Sequence, residues 1–339
     1  MDPVTALRRI SYLLERNGAD TYKVRAFRHA ATALEPISES DLTELAAAGR
    51  LQSVPGVGKS TAQAITEALA GDVPAYLAKL ETEPPPIALD AAAQALLDQL
   101  RGDCHSHSDW SDGGSPIRDM AEAARDLGHS YLVLTDHSAR LTVAHGLDAE
   151  RLRNQLDVVG ALNEEMAPFR ILTGIEVDIL EDGALDQDED LLAELDVVVA
   201  SVHSKLRMDG PTMTRRMLAA IENPHTDILG HCTGRLITGK GRPQSTFDAD
   251  AVFTACSRTG TAVEINSRPE RQDPPEDLLR LAIELGCLVS IDTDAHAPGQ
   301  LEWLGRGCTN AVRAEVPVER VVNRLGADDL VAWTATHAA

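Results

Sequence analysis

The sequence predicts an α/β protein: a seven-stranded β/α barrel preceded by a small all-helical module. Three observations predict it. Beyond residue 100, short apolar runs alternate with longer amphipathic ones, the pattern of parallel strands joined by crossover helices. Nearly every short run ends in a histidine or a carboxylate, as expected of a barrel whose site is built at the C-terminal ends of its strands. Before residue 83 the periodicity is helical throughout.

Composition sets the outer bounds. A chain of 339 residues fits one large and one small domain. Its 43% hydrophobic content supplies an ordinary core, and with only 3% aromatic residues Ala, Leu and Val must do most of the packing. A net charge of −22 argues against a surface coated for nucleic acid along its whole length. The acidity is unevenly spread: residues 1–72 carry eight Lys/Arg against nine Asp/Glu, so the excess lies beyond them, where part of it can offset bound cations. Five cysteines fit neither a disulfide framework nor a zinc ribbon; Cys104 and Cys232, each beside a histidine, read as small buried residues. With no apolar signal core and no run of 18 apolar residues, the expectation is a cytoplasmic protein without a membrane partner.

In chain order, Asp2-Pro3 caps a first helix bearing Leu7, Ile10, Leu13 and Leu14 on one face until Gly18. A second helix covers Tyr22 to Leu34 and a third starts near Ser40. Val54-Pro55-Gly56-Val57-Gly58-Lys59 then precedes Ala62, Ile65 and Leu69 at helical spacing. Glu83-Pro84-Pro85-Pro86 is a stiff, non-helical joint. The expected division is a helical domain over 1–82, a linker and helix over 83–100, and the barrel over 101–339. Strands are expected at 103–105, 131–135, 171–179, 197–202, 228–229, 262–265 and 288–291. Helices are expected near 117–127, 149–166, 212–221, 249–257 and 276–285.

The chemistry sits after the strands. His105 and His107 follow the first, with Asp112 soon after; Asp136-His137 end the second; Glu176 and Asp178 lie in the third. His203 follows the fourth, His231 the fifth, Glu264-Ile265-Asn266 close the sixth, and Asp294 and His296 follow the seventh. One histidine in such a place is usually a hydrogen-bonded structural residue. Six of the eleven in the chain, interleaved with acids, require cations. Mixed imidazole and carboxylate suits zinc, manganese or iron, and nine ligands exceed what one ion uses, so two or three divalent ions are expected. Close-spaced ions suit hydrolysis of phosphate esters.

The runs His105-Ser-His107…Asp112, Leu134-Thr135-Asp136-His137, Gly174-Ile175-Glu176, Ser201-Val202-His203-Ser204, Gly230-His231 and Thr293-Asp294-Ala295-His296 resemble the PHP (polymerase and histidinol phosphatase) family. They are most similar to the PHP domain at the C-terminal end of bacterial family X DNA polymerases. The likeness runs from residue 101 to about 330. It implies a distorted, TIM-like (β/α)7 barrel with three ions and hydrolysis of phosphate esters by a metal-bound hydroxide. By the same resemblance, one ion takes His105, His107, Glu176 and Asp294; a second takes Glu176, His203 and His231; a third takes Asp112, His137 and His296. Glu176, His203 and Asp294 then stand closest to the reaction. Cys232 stands where many relatives have proline. Among cations following the strands, Lys205, Arg235 and Arg268 are the candidates for gripping substrate phosphate, with Arg207 nearby.

Pro55-Gly56-Val57-Gly58 between two helices resembles a helix-hairpin-helix motif, whose amides can bind DNA phosphate without reading sequence. The preceding run from Tyr22 to Ala31 is similar to the N-terminal domain of family X polymerases. Gly56, Gly58, Lys59, Lys23, Arg25 and Arg28 are the implied DNA contacts. The polymerase palm would have to lie between the modules, and only about thirty residues separate Leu69 from Arg101, so polymerase activity is excluded. Ala64 occupies the place of the lyase lysine of some relatives, so no lyase activity is expected. The preferred expectation is a DNA-associated 3′–5′ exonuclease or 3′-end-processing phosphoesterase. The alternatives are a small-molecule phosphomonoesterase of histidinol-phosphatase type and a non-catalytic DNA-binding adaptor.

Overall fold

The structure is a computed structural model that describes residues 1–337. The chain divides into two compact units, Met1–Ala88 and Leu89–Ala339.

The first unit is helical: α1 (Pro3–Arg16), α2 (Thr21–Leu34), α3 (Glu39–Ala47), α4 (Lys59–Leu69) and α5 (Ala75–Thr82). Asp2, Asp20 and Ser38 cap the first three by accepting backbone N–H bonds, each worth about 1 kcal/mol. Leu7, Ile10, Leu13 and Leu14 of α1 are buried with Phe27 and Leu34 of α2 and Ile65 of α4, which makes one small core.

The second unit alternates strand and helix as the apolar runs predict. After α6 (Ala91–Leu97) come β1 (Gly102–Asp103), α7 (Ile117–Asp126), β2 (Tyr131–Leu134), α8 (Ala149–Met166), β3 (Arg170–Asp178), α9 (Glu189–Leu192) and β4 (Val197–Ser201). Then follow α10 (Gly210–Ile221), β5 (Ile228–Leu229), α11 (Ala249–Thr259), β6 (Ala262–Asn266), α12 (Glu276–Glu284), β7 (Val289–Asp292), α13 (Leu304–Arg313) and α14 (Ala327–Thr334). All seven strands are parallel, in the order β1 to β7. The helix expected in the linker, α6, belongs to this unit: Ala93, Leu96 and Leu100 are buried with Ile265, Leu304 and Cys308. No helix among the described residues is long and apolar enough to cross a membrane.

The ring is closed between β7 and β1 by side chains rather than by a ladder. The Asn323 side chain donates to Gly102 O (3.0 Å) and Ile291 O (2.6 Å), and accepts from Ile291 N (3.2 Å). The Asp103 carboxylate accepts from Thr293 N (3.2 Å) and Asp292 accepts from Cys104 N (2.9 Å). Past the strand ends, Ser106 and Ala295 form a parallel bridge, and His107 N donates to Ala295 O (2.8 Å). Since Asn323 is fully buried, Asn323→Ala removes three hydrogen bonds and strands their partners. The expected cost is about 2–4 kcal/mol of unfolding free energy, read as a lower urea midpoint with an unchanged slope.

Candidate metal centre

All nine ligand-type residues reach the C-terminal rim of the barrel, but from two kinds of position. Glu176 is inside β3. The others lie in the loops just past the strands; His105 and His107, two residues apart, both face inward as alternate residues of an extended segment do. Asp294 adopts a left-handed conformation (φ 53°), which is strained for a side chain and recurs at functional sites.

Glu176 is the hub. Its Oε1 lies 2.8 Å from His231 Nε2 and 3.2 Å from His203 Nε2. Its Oε2 lies 2.8 Å from His137 Nδ1, 3.4 Å from His105 Nε2 and 3.6 Å from His107 Nε2. Asp294 Oδ1 is 3.4 Å from His107 Nε2 and 3.5 Å from His296 Nδ1, and Asp112 Oδ1 stands 3.5 Å from His137 Nε2 and 3.3 Å from His296 Nε2. Three groups have ligand atoms mutually within 4.8 Å: His107, Asp112, His137 and His296; His105, His107 and Asp294; and His137, Glu176 and His203. These groups differ in part from the expected sets. His107 and His137 each belong to two groups, and His231 meets the cluster through Glu176.

Burial raises the cost of every charge here, yet the charges persist by mutual support. Burial alone would push the Glu176 carboxyl up; the imidazoles of His203, His105 and His137 outweigh it and hold it well below the usual range. Burial would likewise raise Asp294, and Arg268 and His105 bring it well below. Burial lowers His203, but Glu176 and Asp178 carry it up to about 9. His107 is pushed well below its ordinary value by burial and by the neighbouring imidazoles of His296 and His137.

The donor set fits divalent cations. His105 Nε2, both nitrogens of His107, His137 Nδ1, Glu176 Oε2, His203 Nε2 and His231 Nδ1 are buried without a hydrogen-bond partner. Each such atom ordinarily costs about 1–3 kcal/mol, too much to concentrate at one rim unless something else satisfies them.

Around this cluster lie groups to which spacing gave no role. Asp178 pairs with His203 Nδ1, and Glu264 Oε1 lies 2.5 Å from His105 Nδ1. Asp136, beside His137, accepts instead from Ser108, Ser111 and Gln155 and organises that loop. Arg216 of α10, almost fully buried, donates to the carbonyls of Ile179, Leu180 and Ser204, tying together the loops after β3 and β4. All five cysteines are buried and free, and burial pushes the Cys104 and Cys232 thiols up.

The expected phosphate grip needs correction. Arg235 is spent on the backbone: its guanidinium donates to Arg271 O (3.1 Å) and Gln272 O. The arginine that reaches the cluster is Arg271, whose Nε lies 3.2 Å from Asp294 Oδ2. Arg268 does reach it, at 3.3 Å from Asp294 Oδ1, while also pairing with Glu270 at 2.8 Å. Lys205 stands exposed near the rim, 4.0 Å from Glu181.

In the helical unit, Gly58, Lys59 and Lys23 line one cavity of about 600 Å³, together with Tyr22, Phe27 and Tyr76. Lys23 Nζ sits 4.7 Å from the Tyr76 ring centre. Gly56 has φ +88°, a backbone conformation that side chains rarely adopt; a Cβ on Gly58 would meet nothing within 4 Å, which leaves room for a ligand. Ala64 also lines the cavity, so no lysine stands there. Arg25 is exposed but is not part of this lining. Arg28 is a correction: it is paired at 2.7 Å with the buried Glu15 and serves the unit's own packing.

Comparison with known proteins bears on both units. A model of the helix-hairpin-helix domain matches residues 1–73, and a model of the PHP domain matches residues 103–268. A protein named "Probable phosphatase" in Thermoanaerobacter sp. (strain X514) is 30% identical over 206 residues, 57% of this chain and 78% of that protein. The chain belongs to the PHP family. The DNA polymerase/3'-5' exonuclease PolX of Bacillus subtilis (strain 168) is 43% identical over 237 residues, 70% of this chain. That match spans only 41% of the length of the Bacillus protein. A solved histidinol phosphate phosphatase from Lactococcus lactis subsp. lactis Il1403, complexed with zinc, L-histidinol and phosphate, aligns with a TM-score of 0.42 at 17% identity, over 63% of this chain and 93% of that one. The PHP match, the relatives named phosphatases and the ligand cluster together support a metal-dependent phosphoester hydrolase.

A ligand set this poor in internal partners predicts strong linkage between metal and stability. Protein stripped with chelator should melt at a lower temperature, and adding Mn²⁺ or Zn²⁺ at about 100 times its Kd should contribute about 2.7 kcal/mol. An unchanged melting temperature would contradict the assignment.

Proposed function

We propose that this PHP protein is a DNA-directed phosphodiesterase, a 3′–5′ exonuclease or 3′-end-processing enzyme without polymerase activity. In this reading the helical module holds the DNA backbone and the barrel hydrolyses the ester. The 43% identity to a protein named DNA polymerase/3'-5' exonuclease carries it, supported by the helix-hairpin-helix match at residues 1–73. A backbone-binding module on the same chain raises the local concentration of DNA for the barrel without contributing to the chemistry.

Two or three divalent ions, zinc, manganese or iron, would be held by His105, His107, Asp112, His137, Glu176, His203, His231, Asp294 and His296. Bound there, they supply Lewis-acid activation of water and of the phosphoryl group. The remaining tasks fall to the chain's own residues. Glu176 and Asp294 are buried, and His203, with 10% of its side chain exposed, stands beside them at the floor of the site. Arg268 and Arg271 present guanidinium groups beside Asp294, placed to take the non-bridging oxygens of a substrate phosphate. Lys205, exposed near the rim, serves a flanking phosphate. In the helical module, Lys23, Lys59 and the open backbone at Gly58 take the DNA backbone, with Arg25 as an outlying cation.

A second reading, a small-molecule phosphomonoesterase, draws on the likeness to the Thermoanaerobacter protein named a phosphatase. Incubation with Mn²⁺ or Zn²⁺ and end-labelled DNA, and separately with histidinol phosphate, distinguishes the two. The DNA reading expects stepwise loss of nucleotides from 3′ ends. Phosphate release from histidinol phosphate alone would overturn it.

Partners behind metal ligands typically account for 10–100-fold in activity, so Glu176→Ala, at the hub itself, should cost more than about 100-fold. Lys23→Ala and Lys59→Ala should each weaken DNA binding similarly across sequences and reduce the salt slope by about one.

A further inference from the structure

Among the six clustered histidines, His105 and His203 share a construction the others lack. His105 Nδ1 meets Glu264 Oε1 at 2.5 Å, and its Nε2 faces Glu176 Oε2 at 3.4 Å. His203 Nδ1 meets Asp178 Oδ1, and its Nε2 faces Glu176 Oε1 at 3.2 Å. A carboxylate only accepts, so Nδ1 of each ring carries a proton, and Nε2, facing the hub carboxylate, is the nitrogen that a cation between them would take. The Glu264 carboxylate and the Asp178 backbone are themselves restrained. Glu264 also accepts from His231 N and from the Asn266 amide (3.2 Å), and is fully buried. Asp178 N donates to Ser138 Oγ (2.9 Å), and Arg216 binds the carbonyl of the next residue, Ile179.

The other four rings are held differently. The Nδ1 atoms of His107 and His231 are buried without a partner. His137 turns Nδ1 to Glu176 and Nε2 to Asp112, and His296 Nδ1 lies against Asp294 O at 2.9 Å. The outer acid, Asp112, has a side chain 37% exposed, against 1% for Glu176.

From this asymmetry we propose that Asp178 and Glu264 are positioning residues that pre-set His203 and His105, making the ligands around Glu176 a tight, slowly exchanging metal position and the Asp112–His137–His296 group a weak, exchangeable one. A ring whose tautomer is fixed by a carboxylate loses less freedom on binding and is a better donor than His296, whose Nδ1 meets a neutral carbonyl, or His137, whose two nitrogens both face carboxylates of the cluster itself. The inference rests on the reading of these histidines as metal ligands, and adds to it an order of affinity and the residues that set it.

The test is metal binding to the full chain, independent of turnover. Stripped protein is titrated with Zn²⁺ against a chromophoric chelator, and retained zinc is counted by elemental analysis after dialysis. The parent should show at least one tight and one weak class. Asp178→Asn and Glu264→Gln should each weaken the tight class by about 10–100-fold, with the weak class and the melting temperature of the stripped protein unchanged. Asp112→Ala should remove the weak class alone. Asp178→Glu, which restores the charge, should recover part of the loss. If the parent binds no zinc, the metal reading itself fails. If the parent binds zinc and Asp178→Asn keeps the tight class within twofold, or Asp112→Ala removes the tight class, the positioning inference fails while the metal reading stands. Should Glu264→Gln not fold, Asp178→Asn, nearer the rim, decides the matter.

Discussion

A carboxylate buried among imidazoles is the constraint on which the barrel depends. Glu176 is 1% exposed and has five histidines around it, so its charge is tolerable only because the surrounding rings share it. Such a group is costly to bury without compensation. The compensation constrains where β1, β2, β4 and β5 end, because the first must deliver two rings and each of the others one to within a few ångströms of the same two oxygens. Parallel strands sharing a direction do this economically, since all their C-terminal ends open on one rim.

The surrounding architecture can be understood as support for that rim. Arg216 spans the loops after β3 and β4, Asp136 gathers the loop after β1 onto the one after β2, and Arg235 secures the segment that carries Arg271. None of these side chains touches the hub, and each is committed to hydrogen bonds that hold backbone in place. The loops are irregular in shape but not loose, which suits a site that must hold several cations at once.

Much of this was legible in the sequence. Short apolar runs placed β2 to β7, because a parallel strand buried on both faces is written as an uninterrupted apolar stretch, while β1, only Gly102–Asp103, was legible from the histidines that follow it. What was illegible has identifiable causes. Helix α13, Leu-Gly-Arg-Gly-Cys-Thr-Asn-Ala-Val-Arg, contains two glycines and reads as a poor helix former; its form is imposed by packing. Gly307 shows why, since a Cβ there would fall 2.3 Å from Ser267 Oγ and 2.5 Å from Ile291 Cγ2, so the helix lies directly on β6 and β7. Spacing also cannot say which of several arginines faces inward: Arg235 follows a strand as Arg268 does, yet its guanidinium turns to the backbone and Arg271 takes the place beside Asp294. The division between Asp178 and Glu176, two acids on one strand and one face, is likewise a matter of distances that no period encodes.

The junction of β7 with β1 leads to a different kind of conclusion. Where other neighbours are joined by ladders of backbone amides, this one relies, besides the Ser106–Ala295 bridge, on the Asn323 amide and on the Asp103 and Asp292 carboxylates, which accept from backbone N–H groups. Asn323 stands 221 positions along the chain from Gly102, so the first strand is held in the ring by a side chain remote from it in sequence. The histidines that the first strand carries to the rim therefore depend on a contact that a substitution far from any of them in sequence can break.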